Sequence, residues 1–199
     1  MFQIRIHGRG GQGVVTAADL LAYAAFKEDR HAQAFPSFGS ERTGAPVVSY
    51  CRIDTKPIRS HEPVLTPDAV IVQDPTLLSA IDVFAGLRPG GYAIINSAKP
   101  FSAFDIDPAT VADLPDAHRL TVPATDLAME HLGRPMPNAV LLGAFTAVTD
   151  IVGLEAVCGA ISDRFPGAVG QRNIAAARAA HRIVADTLAR NLKEAASAV

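Results

Sequence analysis

Phe2-Gln3-Ile4-Arg5-Ile6-His7-Gly8-Arg9-Gly10-Gly11-Gln12-Gly13-Val14-Val15-Thr16 decides the reading of this chain. Its first residues alternate, with Phe2, Ile4 and Ile6 set against Gln3 and Arg5, which is the period of a strand. They run without a gap into Gly8-Arg9-Gly10-Gly11-Gln12-Gly13 and then into alanine and leucine at helical spacing. Strand, glycine turn and helix in that order open an α/β fold. Gly8, Gly10 and Gly13 fit the G-x-G-x-x-G spacing, in which the first glycine permits a tight bend, the second a close approach to the backbone, and the third close helix–strand packing. The first N–H groups of the helix would face anything docked at the turn and favour an anion. Gly8, Gly10, Gly11, Gln12 and Gly13 are therefore the candidate contacts for the phosphate of a nucleotide or of CoA. A tight crossover, or a turn that admits the backbone of a neighbouring protein, would use the same glycines.

A dinucleotide fold carries an Asp or Glu about 20 residues beyond the glycines, at the end of the second strand, to bind the ribose hydroxyls. Here that neighbourhood reads Arg30-His31-Ala32-Gln33-Ala34. Glu28 and Asp29 fall before the strand, in the turn after the helix, where solvation is their expected role. NAD and FAD are disfavoured.

With 199 residues, 49% of them hydrophobic, the chain can bury a sizeable core, and a single domain over residues 1–199 is expected. A formal net charge of −2, with 18 Lys and Arg scattered along the chain, gives no footprint for nucleic acid. No apolar run reaches membrane-spanning length and no leader pattern follows Met1, so no membrane is expected and the location read from sequence is cytoplasmic. Cys51 and Cys158 belong to no C-x-x-C pair and point to neither a disulfide framework nor a metal cluster.

The first helix is expected from Val14 to Lys27, with Ala17, Leu20, Leu21 and Ala24 on one face. A short strand over His31–Ala34 leads into an irregular loop, Phe35 to Pro46, rich in aromatic and charged residues. Val47–Ile53 reads as a strand with no helix before it, hence antiparallel to its neighbours in a mixed sheet. Ala69–Asp74 and Tyr92–Asn96 read as buried parallel strands that place Asp74 and Asn96 at the edge where open α/β sheets bind ligands, although both residues are common turn formers. Between them a short helix is expected over Thr76–Phe84. The segment from Phe101 to Pro115 reads as irregular, and His118–Pro123 as a further strand. Helices follow over Leu127–Leu132, capped by Thr125 or Asp126, then Ala139–Thr149, Leu154–Arg164 and Asn173–Leu192. In the second of these, Gly143 and Ala144 suggest close packing. The fold class is α/β, a three-layer Rossmann-like sandwich on a mostly parallel, partly mixed sheet.

Taken together, two loops at this spacing are more specific than a glycine motif alone. Gly8-Arg9-Gly10-Gly11-Gln12-Gly13-Val14 with Thr16-Ala17-Ala18, Gln33-Ala34-Phe35-Pro36-Ser37-Phe38-Gly39 with Glu41-Arg42 and Gly44-Ala45-Pro46, Arg52-Ile53 with Pro57-Ile58, and Asn138, Leu141 and Gly143 carry a resemblance over most of the chain. The sequence resembles the gamma subunit, or gamma domain, of the 2-oxoacid:acceptor oxidoreductases, although Thr43 stands where the family often has Arg. The resemblance implies a complex that oxidatively decarboxylates a 2-oxoacid on thiamine diphosphate with Mg²⁺, passes electrons through [4Fe–4S] clusters and releases an acyl-CoA. It implies partners of alpha, beta and delta type, with ferredoxin or a flavin/NAD-linked subunit as acceptor. Thiamine diphosphate and clusters would sit in the companions, and no catalytic residue or metal ligand is expected in this chain. It also implies that Phe38, Gly39, Glu41 and Arg42 make loop contacts. A purely structural subunit and a stand-alone nucleotide-binding protein are the alternatives. His7 and His31 lie near the turn in sequence, but neither has a readable acid–base partner.

Overall fold

The computed structural model describes residues 1–37 and 43–197. Phe38, Gly39, Glu41 and Arg42, named above as loop contacts, lie outside the described residues. The strands are β1 (Phe2–Arg9), β2 (His31–Pro36), β3 (Pro46–Asp54), β4 (Ala69–Val72), β5 (Tyr92–Asn96) and β6 (Arg119–Val122). They form one sheet in the order β2-β3-β1-β4-β5-β6. The β1–β4, β4–β5 and β5–β6 pairings are parallel, whereas β3 is antiparallel to both β1 and β2. The helices are α1 (Val14–Lys27), α2 (Pro108–Val111), α3 (Ala124–Leu132), α4 (Asn138–Val148), α5 (Leu154–Arg164) and α6 (Ala168–Ser197).

The two outer layers are unequal. One face of the sheet carries Ile4, Ile6, Cys51, Ile53, Ile71 and Ile94 against α1, α3, α4, α5 and α6, and this is the larger core. Small residues bring these helices together: a Cβ on Gly143 would collide with the backbone of Ala177, so α4 and α6 meet at main-chain distance. On the other face Val70, Val72, Ala93 and Ile95 are covered by short turns and by α2, through Leu77, Val83, Phe84, Val111 and Leu114.

The alternation in β1 separates two buried faces, not a buried face from a wet one. Gln3, Arg5 and His7 are all buried. Arg5 donates to the carbonyls of Val64 (3.4 Å), Val83 (2.9 Å) and Ala85 (2.6 Å), and Gln3 accepts from Arg52 Nε at 3.2 Å. Arg52 also donates to the Glu62 carbonyl and lies over the Phe35 ring. Two buried guanidinium groups thus tie segments that carry no helix to the sheet, although Arg5 Nε itself has no partner among the described residues.

Four expectations are corrected. The helix expected over Thr76–Phe84 is a 3₁₀ turn, Pro75–Ser79, followed by further turns. Asp74 accepts from the Thr76 N–H (3.0 Å) and hydroxyl (2.6 Å), and Asp82 accepts from the Phe84 N–H at 3.2 Å, so side chains satisfy donors that a longer helix would need. Neither Thr125 nor Asp126 caps α3, which begins at Ala124. Asn96 of β5 performs that service, accepting from the Thr125 N–H at 3.0 Å and donating to its hydroxyl at 2.8 Å. The last helix starts at Ala168, with Asn173 buried inside it and donating to the Val169 carbonyl. Glu28 is not merely solvated, since its carboxylate accepts from the Gly153 N–H at 2.9 Å, just before α5.

Candidate functional site

β1 ends at the sheet edge where α1 begins, and the turn between them is pinned from three sides. Gly8 lies within β1, opposite Val47 of β3, so it does not make the bend expected of it. A Cβ there would press on Val14 and Gln73 instead. The bend falls at Gly11 and Gly13, with φ of 96° and 73°. Gly13 is also the N-cap of α1, and no side chain caps the helix there. Gly10 bonds to the returning loop, donating to the Ala45 carbonyl at 2.9 Å and accepting from the Gly44 N–H at 3.1 Å.

Gln12 is a structural clasp. Its Oε1 accepts from the Arg9 N–H at 2.8 Å, closing the turn, and its Nε2 donates to Asp74 Oδ2 at 2.9 Å. The same carboxylate oxygen lies 3.2 Å from Arg9 Nε. Arg9 also donates to the Thr76 hydroxyl (2.8 Å) and the Gly44 carbonyl (3.1 Å). Partial burial works to raise the pKa of Asp74, but hydrogen bonds from Thr76 and Gln12 and the charge of Arg9 outweigh it and hold the carboxyl below the ordinary carboxylate range. Asp74 therefore joins β1, the glycine turn and the segment after β4. Asp74→Ala should cost about 1.5–3 kcal/mol, as expected for bonds to a charged group. It should also speed hydrogen exchange at the Gly10–Gly13 amides, and unchanged exchange there would show that the turn holds its shape without the clasp.

These pieces border a cleft of about 280 Å³ lined by Arg9, Gly10, Gly11, Gly13, Val14, Val15, Val47 and Met136. Of the residues expected at the site, Gly10, Gly11 and Gly13 line it, whereas Gly8 is inside the strand and Gln12 is turned toward Asp74. Arg9, Met136 and Asn138 were not legible as site residues. Arg9 lines the cleft with its guanidinium held by Asp74, Thr76 and Gly44, and Asn138 and Met136 sit against Gly13. The signal for Arg9 was its place between glycines. Met136, from the loop before α4, and Asn138, the first residue of α4, arrive from more than a hundred residues away, without local signal.

Beyond the clasp, the ends of β5 and β6 frame a separate crevice of about 340 Å³ that includes Asn96, Lys99, Thr125 and Asp126. Asn96 donates to the Gln73 carbonyl and holds Thr125, so it ties the end of β4 to the start of α3 and does not form a turn.

The structure also explains why a nicotinamide fold was a poor match. The strand that follows α1 does not lie beside β1, because antiparallel β3 is inserted between them. The place next to the turn that would carry a ribose-binding acid is filled by a strand running the other way. His31 is exposed, and His7 is buried with neither ring nitrogen partnered, so neither is set up for acid–base work. Cys51 and Cys158 are both free and buried, in β3 and α5, and burial raises both thiol pKa values. This donor set does not fit an iron–sulfur cluster. Among the described residues no cluster of His, Cys, Asp and Glu is placed to hold a metal ion, and no helix is long and apolar enough to cross a membrane.

Comparison with known proteins adds an independent line. The family described as "Pyruvate ferredoxin/flavodoxin oxidoreductase" matches residues 3–183. Pyruvate synthase subunit PorC of Methanothermobacter thermautotrophicus is 45% identical over 181 residues, covering 91% of this chain and 94% of that protein. The pyruvate/ketoisovalerate oxidoreductases common subunit gamma of Thermococcus kodakarensis is 47% identical over 184 residues, covering 90% and 95%. Among solved structures, the pyruvate oxidoreductase subunit PORC of Thermotoga maritima is 36% identical, with a TM-score of 0.73, over 91% of this chain and 95% of that one.

Proposed function

The chain belongs to the pyruvate ferredoxin/flavodoxin oxidoreductase family as a gamma-type subunit, and from that premise we propose that it packs on thiamine-bearing companions and docks the phosphate end of coenzyme A at its glycine turn. The whole of residues 1–199 acts as one gamma-type unit in this reading, within a cytoplasmic complex. The reaction is the oxidative decarboxylation of a 2-oxoacid of the pyruvate, 2-oxoglutarate, aryl-glyoxylate or aryl-pyruvate type to an acyl-CoA. Thiamine diphosphate, Mg²⁺ and [4Fe–4S] clusters are held by alpha-, beta- and delta-type partners, and electrons pass to ferredoxin or a flavin/NAD-linked subunit.

The observation that carries the proposal is the cleft at the start of α1, lined by Arg9, Gly10, Gly11, Gly13, Val14 and Val15, where no side chain caps the helix. An uncapped helix start carries partial positive charge and free donors, so phosphate is the group that fits, while Arg9, paired with Asp74, fixes the turn that presents those donors. This chain contributes positioning. Holding one end of a long thiol substrate converts the approach of its other end to the reacting centre from a bimolecular encounter into an intramolecular one. The loop carrying Phe38, Gly39, Glu41 and Arg42 belongs to the contact with the companion subunits in this proposal.

Gly10→Val tests it in the assembled enzyme. A raised KM for CoA with kcat and assembly preserved supports phosphate docking. Failure to assemble supports the alternative in which the turn meets only protein, and unchanged kinetics leave it a tight crossover. A second expectation concerns the chain alone: purified without companions, it should neither reduce an acceptor with any 2-oxoacid nor bind iron, measured by dye reduction and metal analysis. Substrate-dependent turnover by the single chain would contradict the division of labour.

A further inference from the structure

β2 is the outer strand of the sheet on its β3 side, and among the described residues no strand pairs with its free edge. The Ser37 N–H donates to the Val48 carbonyl at 2.8 Å, so by the two-residue period Phe35, Gln33 and His31 also bond inward to β3. The N–H and C=O groups of Ala32 and Ala34 therefore point away from the sheet. Among the described residues none of this chain takes them up. Edge strands are normally protected by charges, bulges or brevity. This one, His31-Ala32-Gln33-Ala34-Phe35-Pro36, runs six residues with no Lys, Arg, Asp or Glu. Within the strand itself the guard is Pro36, at the end. The last turn of α1, which delivers the chain into β2, exposes apolar surface as well: Phe26 is 68% and Tyr23 43% exposed, their rings stacked at 6.3 Å.

We propose that β2 pairs with β2 of a second copy of this chain, antiparallel across a two-fold axis, so that two sheets join into one. The pairing places Gln33 opposite the partner's Gln33, with Ala32 of each copy facing Ala34 of the other. This register uses both outward groups of both alanines, and it leaves Pro36, which has no N–H to give, outside the ladder. A shift by two residues in either direction strands one alanine group. Alanine side chains let the strands approach without obstruction, and no like charges meet across the axis. A strand edge is self-complementary in this way only under antiparallel pairing, which is what an isologous contact requires. The inference concerns a surface remote from the glycine turn and does not depend on what that turn binds.

Two variants test it, in the chain alone and in the complex it forms with its companions. Gln33 of the two copies would form a non-hydrogen-bonded antiparallel pair, with Cα atoms about 4.5 Å apart, which is within disulfide reach. Gln33→Cys should therefore cross-link chain to like chain under mild oxidation, against a low background because the native thiols are buried. Ala34→Pro removes an N–H that β3 does not use, and edge strands tolerate proline. It should raise the dimer dissociation constant by about tenfold or more while leaving the melting temperature of the chain near that of the parent. Absence of the cross-link both in the chain and in the complex overturns the proposal. So does a cross-link to a companion subunit, or a dimer that Ala34→Pro leaves intact.

Discussion

Gly13→Val is expected to lower the stability of the chain by about 2–5 kcal/mol. The φ of 73° places Gly13 in the left-handed region, where a side chain costs roughly 1–2 kcal/mol even without a neighbour. Here there is one. A Cβ would come within 2.5 Å of Asn138 Nδ2 and 3.4 Å of Met136 Cε, at the entrance to α4, and overpacking adds about 1–3 kcal/mol. For a chain of this size that corresponds to a melting temperature roughly 4–20 °C lower. Gly13→Asn should cost less, because Asn tolerates the left-handed conformation. Gly10→Val should also cost less than Gly13→Val, so the pair separates docking from folding. Thermal melts decide the matter: a Gly13→Val melt indistinguishable from the parent would mean that the turn relaxes freely and that the contact with α4 does not constrain it.

The second large effect is acid sensitivity through His7. The imidazole is 5% exposed, and neither ring nitrogen has a hydrogen-bond partner. Burial, and after it the charge of Arg5, depress its pKa from 6.5 to about 3, offset only in part by the Val83 backbone, whose carbonyl already accepts from Arg5. The folded chain therefore binds this proton less readily than the unfolded chain. The stabilisation is fully present above pH 6.5 and is lost as the pH falls from there toward 3. The loss amounts to about 4–5 kcal/mol over that window, a large share of the stability of a typical domain. The pKa of Asp74 is also held down, so its contribution is lost in the same direction, but only in the carboxylate range. His7→Leu should flatten the upper part of the stability–pH curve, measured by denaturant unfolding between pH 7 and pH 4. A parent curve that is already flat there would show that His7 is protonated inside the fold.

The candidate site was only partly legible, for identifiable reasons. Gly10, Gly11 and Gly13 were readable because a glycine turn between strand and helix is a local pattern, and they do line the cleft. The role of Gln12 was not readable, because whether its amide faces a ligand or the chain depends on Asp74, which lies 62 residues away. Asp74 and Asn96 could be placed at the ligand-binding edge from strand periodicity alone. That each would be spent on an internal clasp depended on partners brought in by other elements. The same cause shortened the expected helix after Asp74 and moved the cap of α3 from its own residues to Asn96.

What the sequence determined by itself is the set of elements with strong local signals. These are the opening strand, turn and helix, the apolar strands β4 and β5, the antiparallel β3 that follows a strand with no helix between, and membership of a gamma-type subunit family. Each rests on periodicity, on glycine and proline chemistry, or on paired motifs, all of which act over a few residues. Only the tertiary structure decided the rest. It buried both faces of β1, set His7 and Arg5 in the interior, inserted β3 between β2 and β1, and carried Asn138 and Met136 to the mouth of the glycine turn. The physical reason is that burial, desolvation and side-chain hydrogen bonding depend on which segments meet, and in this chain the deciding contacts span scores of residues.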